Sequence, residues 1–146
     1  MSHINHQNQV ADIKMNNAQT NRKAADKKRV TSFALGLLGI IDSITIALFL
    51  TSTLSAIASS STQTLQNYMI VGTTSIIIAT LICGSYLIIA KHPKKGAKMN
   101  MAAGCLQTGI YVYYSSFFQP SLLNWINPAG IILLLPSLLS GLIAQF

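Results

Sequence analysis

The sequence predicts an all-α fold: an integral membrane four-helix bundle with a polar, disordered N-terminal tail. Three observations carry this expectation. Hydrophobic residues make up 51% of the 146-residue chain and charged residues only 9%, against roughly 25% charged in a soluble domain. Four apolar runs, at about 30–57, 68–90, 100–118 and 129–146, have the length of the roughly 20-residue helix that crosses hydrocarbon. All 10 Lys and Arg residues lie in two places, before the first run and between the second and third. The chain therefore divides into a tail, 1–29, and a four-span domain, 30–146.

Residues 1–29 are rich in Asn, Gln and Lys and poor in large apolar groups. Such a stretch buries too little surface to offset its ordering entropy. It is expected to be a mobile cytoplasmic tail, carrying at most a short helix around 9–29. The first run, VTSFALGLLGIIDSITIALFLTSTLSAI, follows Lys28-Arg29 and exceeds the length a span needs, so tilt or a protruding outer turn is expected. Ala56-Ile57-Ala58 also fits a signal-peptide cleavage site, and cleavage there would leave three spans; the tail and the run are both longer than such a signal uses.

The connector ASSSTQTLQN, 58–67, is polar and uncharged. After the second run comes KHPKKGAK, 91–98, with Pro93 and Gly96 as helix breakers. The third run ends in Tyr- and Phe-rich sequence, and a second uncharged connector, QPSLLNWINP, follows it. Asn127 as N-cap and Pro128 at the first helical position start the last helix. Strands are not expected, because the runs do not alternate and an open sheet edge would leave unpaired backbone groups in lipid.

Four spans alternate sides. The tail and the 91–98 connector then share one side, and the two uncharged connectors share the other. Lys27, Lys28 and Arg29 flank the first span; Lys91, Lys94, Lys95 and Lys98 flank the second and third. Basic residues concentrate on the cytoplasmic side, so both termini are expected in the cytoplasm of a multi-pass membrane protein. Tyr68, Phe117, Phe118 and Trp125 gather at the opposite interface, where amphipathic rings settle. The net charge of +7 thus reads as topology and as contact with anionic lipid headgroups, not as a nucleic-acid surface.

Asp42 is the one charged residue inside a span. It lies about 12 residues in, or roughly 18 Å deep at 1.5 Å per residue. A carboxyl there must be protonated, partnered or facing water. Thr80, Gln107, Tyr111 and Ser137 fall at similar depth and complete an expected polar layer, either a proton site or structural glue. Small residues mark expected packing faces: Gly36, Gly39 and Ser43 in the first span; Gly72 with Ser75, Ala79 and Cys83 in the second; Gly104 and Gly109 in the third; Ser137 and Gly141 in the fourth. One such face is available for a second copy or a membrane-protein partner. Pro136 is expected to kink the last span. Cys83 and Cys105 read as small buried hydrophobes, with no disulfide framework and no metal site. The chain has no Walker A, dinucleotide-binding, HExxH or nucleophile-elbow motif and only three acidic residues. An enzyme, a cofactor and a metal are not expected.

The layout resembles that of the small multidrug-resistance transporters, which have four spans and one membrane acid in the first. That resemblance implies a dimer exchanging protons for cationic drugs at Asp42, with Tyr111, Tyr113 and Tyr114 as the aromatic counterparts. The chain departs from that family in its greater length, its polar tail and its use of Asp outside the family's Glu motif. The basic tail, the KHPKKGAKMNMAAG turn and the small-residue helices also look similar to uncharacterised four-span proteins of Gram-positive bacteria and to tetraspan families such as the membrane-spanning four-domain proteins. The first expectation for function is a non-enzymatic bundle acting through helix packing and protein or lipid contacts, as an accessory, immunity or scaffold subunit. The other is a dimeric proton- or ion-coupled transporter built on Asp42.

The topology is open to a direct check. With Cys83 and Cys105 replaced, Ser60→Cys and Lys95→Cys should react with an impermeant thiol reagent from opposite faces of a sealed membrane. Reaction of both from one face would contradict four spans.

Overall fold

The computed structural model describes the backbone of residues 2–57, 60–90, 92–118 and 128–145, and the side chains within them outside 1–12, 54, 56–63 and 115–131. The described residues form four α-helices and no strand: α1 (Ser2–Ile57), α2 (Ser60–Ile89), α3 (Pro93–Phe118) and α4 (Pro128–Gln145). Each helix packs along its neighbours in sequence, α4 closes the ring against α1, and α1 meets α3 only sparingly across the diagonal. The pairs Ser32 with Ser140, and Ile46 and Leu50 with Leu134, run antiparallel along α1 and α4. Segments Ile13–Thr53 of α1 and Thr64–Ile89 of α2 contain stretches long and apolar enough to cross a membrane; Ile132–Gln145 is apolar but shorter.

The first difference from expectation is the tail. The stretch 2–29, expected to be disordered, continues α1 without a break. It contains no Gly or Pro before Gly36 and carries Ala, Lys, Gln and Arg, which favour helix. Nucleation is the costly step in helix formation, and the packed segment beyond Val30 supplies the nucleus. The extension 2–29 is roughly 40 Å long, and its residues 13–28 are all exposed.

The second difference is the basic connector. Only 90–92 separate α2 from α3. The His92 carbonyl accepts from the amides of Lys95 and Gly96, both at 3.1 Å, which starts α3 with Pro93 in its first turn. Proline suits that position because its missing N–H would have no partner there anyway. Gly96 lies inside the helix, where a Cβ would run into the Gly84 carbonyl and come within 2.7 Å of Ile88. Gly96 therefore serves close approach of two helices rather than a break. Pro128 begins α4 as expected, and Pro136 lies within it. Asn127, Trp125, Lys91 and the side chains of Phe117 and Phe118 are outside the described residues.

Along the bundle the core changes character. At the end near the basic residues small and polar residues predominate: Ser32, Gly36, Gly84, Ser85, Gly96, Ala97, Asn100, Ser140 and Gly141 are all buried, with Ile88 as the large side chain among them. A middle layer of Ile77, Leu81 and Ala103 packs with Ile40 and Ile110. The far layer is large and apolar: Ile46, Leu50, Ile70, Tyr114 and Leu134, with Tyr111 packed against it.

The glycines divide in the same way. Gly36, Gly39, Gly104 and Gly141 sit at close helix contacts, whereas a Cβ on Gly72 or Gly109 would meet nothing within 4 Å among the described residues. The expected packing face of α2, Gly72, Ser75, Ala79 and Cys83, is exposed throughout. Its buried face is Ile70, Ile77, Leu81, Ser85 and Ile88 instead. In the middle of the bundle large α2 side chains fill the interior, whereas at the basic end Gly84 and Ser85 of α2 do face small residues of α1 and α3. Cys83 and Cys105, expected to be buried, are exposed free thiols.

Two substitutions separate these roles. Gly96→Ala should destabilise the bundle by about 1–3 kcal/mol, because the new methyl meets backbone that cannot yield. Gly72→Ala should change stability by less than about 1 kcal/mol, toward greater stability, from helix propensity alone. Unfolding from detergent micelles measures both.

Candidate functional site

The most constrained side chain is Asn100, fully buried on α3. Its carboxamide lies between glycines of two other helices. A Cβ on Gly36 would come within 3.1 Å of Asn100 Nδ2, and one on Gly84 would collide with Asn100 Oδ1. Asn100 Nδ2 donates to Ser140 Oγ at 2.7 Å. Ser140 Oγ in turn donates to the Ser32 carbonyl at 2.7 Å. Ser32 Oγ returns a bond to the Ser140 carbonyl at 2.5 Å. This chain of bonds ties α3 to α4 and α4 to α1, while Gly84 and Ser85 bring in α2. Ser85 Oγ and Asn100 Oδ1 are buried without a hydrogen-bond partner among the described residues.

A second polar node lies one to two turns along the bundle. Ser137 Oγ donates to Gln107 Oε1 at 3.2 Å and sits 3.3 Å from the Leu134 carbonyl. Gly39 and Gly104 make room for Ser137 from two sides: a Cβ on the first would lie 3.1 Å from Ser137 Cβ, and one on the second 3.0 Å from its Oγ. Gln107 is only 2% exposed, yet its Nε2 lacks a partner among the described residues. Proline at 136 has no amide to bond back to the Ile132 carbonyl, which lies five residues before Ser137 on α4.

No family model matches this chain, and no curated protein or solved structure is similar to it. The chemistry of the site rests on its own residues.

Of the five residues the sequence placed in one layer, the structure joins two. Gln107 and Ser137 are hydrogen-bonded. Asp42 is half-buried, and its Oδ2 is shielded from solvent with no partner among the described residues. Its neighbour Ser43 is 2% exposed and donates to the Gly39 carbonyl at 2.7 Å. Thr80 bonds the Ile76 carbonyl of its own helix at 2.7 Å and takes no part in the node. Tyr111 packs in the far apolar layer. Equal depth did not translate into contact, because residues at one depth face in different directions around each helix.

Sequence reasoning missed Asn100, Ser32, Ser85 and Ser140. A signal was present. Ser32, Gly36, Gly39 and Ser43 continue through Ile46 and Leu50 at the 3–4 residue spacing of one helix face, and Asn100 is the one Asn within the third apolar run. The basic residues frame this end of the bundle: Lys27, Lys28, Lys94, Lys95 and Lys98 are exposed and Arg29 half-buried. Among the described residues, no three His, Cys, Asp or Glu side chains gather at metal-binding distance.

The arrangement can hold helices in register; among its own atoms it offers no nucleophile paired with a base. Asn100→Ala should lower stability by about 1–2 kcal/mol, the worth of a buried interhelical hydrogen bond and the contacts around it. Thr31→Ala is the matched control. Thr31 is exposed and bonds only the Lys27 carbonyl of its own helix, so its loss should cost less than about 0.5 kcal/mol. Reversible unfolding in mixed micelles distinguishes them.

Proposed function

We propose that this chain is a multi-pass membrane protein, a four-span bundle with both termini in the cytoplasm, that acts through helix packing and through contacts with lipid and membrane-protein partners. It serves as an accessory, immunity or scaffold subunit rather than as an enzyme. One observation carries the reading: polar side chains are buried at the helix contacts while large apolar ones face outward. Ser32, Ser43, Ser85, Asn100, Gln107, Ser137 and Ser140 are buried, while Leu37, Leu38, Ile41, Leu48, Phe49, Ile76, Ile82, Leu106 and Leu139 are exposed. Water would penalise such a surface, since soluble monomers expose contiguous apolar patches of only a few hundred Å². Hydrocarbon favours it, and favours small and hydrogen-bonding residues between helices.

The outward hydroxyls fit the same solvent. Thr45 and Ser75 are exposed and Thr53 and Thr73 half-buried, and each bonds a carbonyl four residues back on its own helix, at 2.6–3.0 Å. In lipid such a bond satisfies the hydroxyl without a second helix. The two basic clusters lie at one end of the bundle, because Ser32 and Asn100, just beyond them on α1 and α3, both reach Ser140. That grouping supports a cytoplasmic assignment for this end and contact with anionic headgroups there.

A second reading rests on Asp42. A shielded carboxyl oxygen with no partner among the described residues is the kind of group that a proton-coupled transporter uses, and intramembrane acids often mark such pathways. Reconstituted vesicles separate the two. For the packing role, the wild-type protein carries no proton-linked flux, and Asp42→Asn leaves assembly unchanged or slightly strengthened. Proton-linked flux in the wild type that disappears in Asp42→Asn, with the fold retained, would establish transport instead.

A further inference from the structure

A small cavity lies between the polar node and the apolar end of the bundle. Its volume is about 10 Å³, and its lining includes Ser43 on α1, Thr74 on α2 and Gln107 on α3. Ile46, Leu50, Ile77 and Ile110 complete the wall. One water molecule needs about 10–15 Å³ by this measure, and two to four polar partners. We propose that this cavity is a binding site for a single structural water that links α1, α2 and α3 through Ser43, Thr74 and Gln107.

Gln107 is nine-tenths buried and more, and its Nε2 has no partner among the described residues. Its Oε1 already accepts from Ser137. A ligand facing Nε2 must accept a hydrogen bond. Ser43 Oγ spends its proton on the Gly39 carbonyl, so it presents lone pairs and requires a donor. Thr74 supplies a hydroxyl that can play either part. Only a molecule that both accepts and donates meets all three. If the amide is turned over, Nε2 donates to Ser137 Oγ, Oε1 faces the cavity, and water serves again. A cation would be repelled by the amide N–H groups, and an anion larger than water does not fit the space.

The site also accounts for a gap in the helix pairing. Hydrogen bonds tie α3 to α4 at Gln107 and Ser137, but α2 reaches this level with Ile77 and Leu81, which make only apolar contacts. The water brings α2 into the polar node through Thr74. Asp42, about 100° around α1 from Ser43, is not among the residues lining the cavity. The site is thus separate from the carboxyl, and it does not depend on whether the bundle transports anything.

A structure of the full-length protein that resolves ordered solvent tests this. The expected result is one water oxygen within hydrogen-bond distance of the Gln107 amide and of Ser43 Oγ or Thr74 Oγ1. In Gln107→Leu that density should vanish. Absence of density beside a well-ordered wild-type Gln107 would overturn the proposal, as would a water that persists unchanged in Gln107→Leu. Where crystals fail, magnetisation transfer from long-lived water to the Gln107 side-chain amide protons, in the full chain in micelles, reads the same contact. A transfer peak is expected; its absence with the amide signals resolved would overturn the site.

Discussion

The Asn100 carboxamide passes between Gly36 and Gly84, where an added Cβ would collide with Ser85 Oγ at the first and with Asn100 Oδ1 at the second. That constraint fixes how closely α1, α2 and α3 approach. The Asn100 bond to Ser140 and the paired bonds between Ser140 and Ser32 then fix α4 against both α1 and α3. Register along the whole bundle follows from this end. With Ser32 opposite Ser140, Gly39 falls opposite Ser137, and Ile46 and Leu50 fall opposite Leu134. A slip of one helical turn would set Asn100 against a side chain and leave its donors unpaired in a place where no water compensates.

The gradient along the axis divides labour. Small residues and hydrogen bonds give close approach and orientation at the basic end. Large side chains fill the other end, where Ile46, Leu50, Ile70, Tyr114 and Leu134 pack together. In hydrocarbon the burial of leucine gains little, since lipid is equally apolar, so van der Waals fit and interhelical hydrogen bonds must hold the helices. Individual bonds of this kind are modest in strength. Their effect comes from concentration in one ring that touches all four helices. The exposed faces of α2 and α3, with Gly72, Ala79, Cys105 and Gly109 among them, remain available for the partner contacts that the proposed role requires.

Helix number and the C-terminal ends of the helices were legible because run length and the absence of alternation are one-dimensional signals. The starts of α1, α2 and α3 were not, since Ser2, Ser60 and Pro93 lie in polar sequence well before the expected 30, 68 and 100. The α1 face through Gly36, Gly39 and Ser43 was legible as a one-dimensional signal too: all three recur at helical spacing. The α2 face was not. Gly72, Ser75, Ala79 and Cys83 form an equally regular stripe, and only the partner helix decides which of two stripes is buried. Asn100 escaped notice because it sits close to the basic connector, where a polar residue reads as the edge of a span. Gly96 read as a breaker because a glycine near a proline ordinarily is one; its actual neighbour, the Gly84 carbonyl, is distant in sequence. The polar tail read as disorder from composition alone, which ignores the helix it extends.

In the proposed role the outward apolar surface of this bundle meets hydrocarbon, while Asn100, Gln107 and the buried serines lie between helices. Spin labels placed one at a time at Leu48, Ile76, Leu106 and Leu139, which the structure exposes, test it most directly in reconstituted bilayers. Relaxation by oxygen, which concentrates in lipid, should be strong at all four positions, and relaxation by a water-soluble nickel chelate should be weak. Strong nickel relaxation at these positions would place the surface in water and contradict the account.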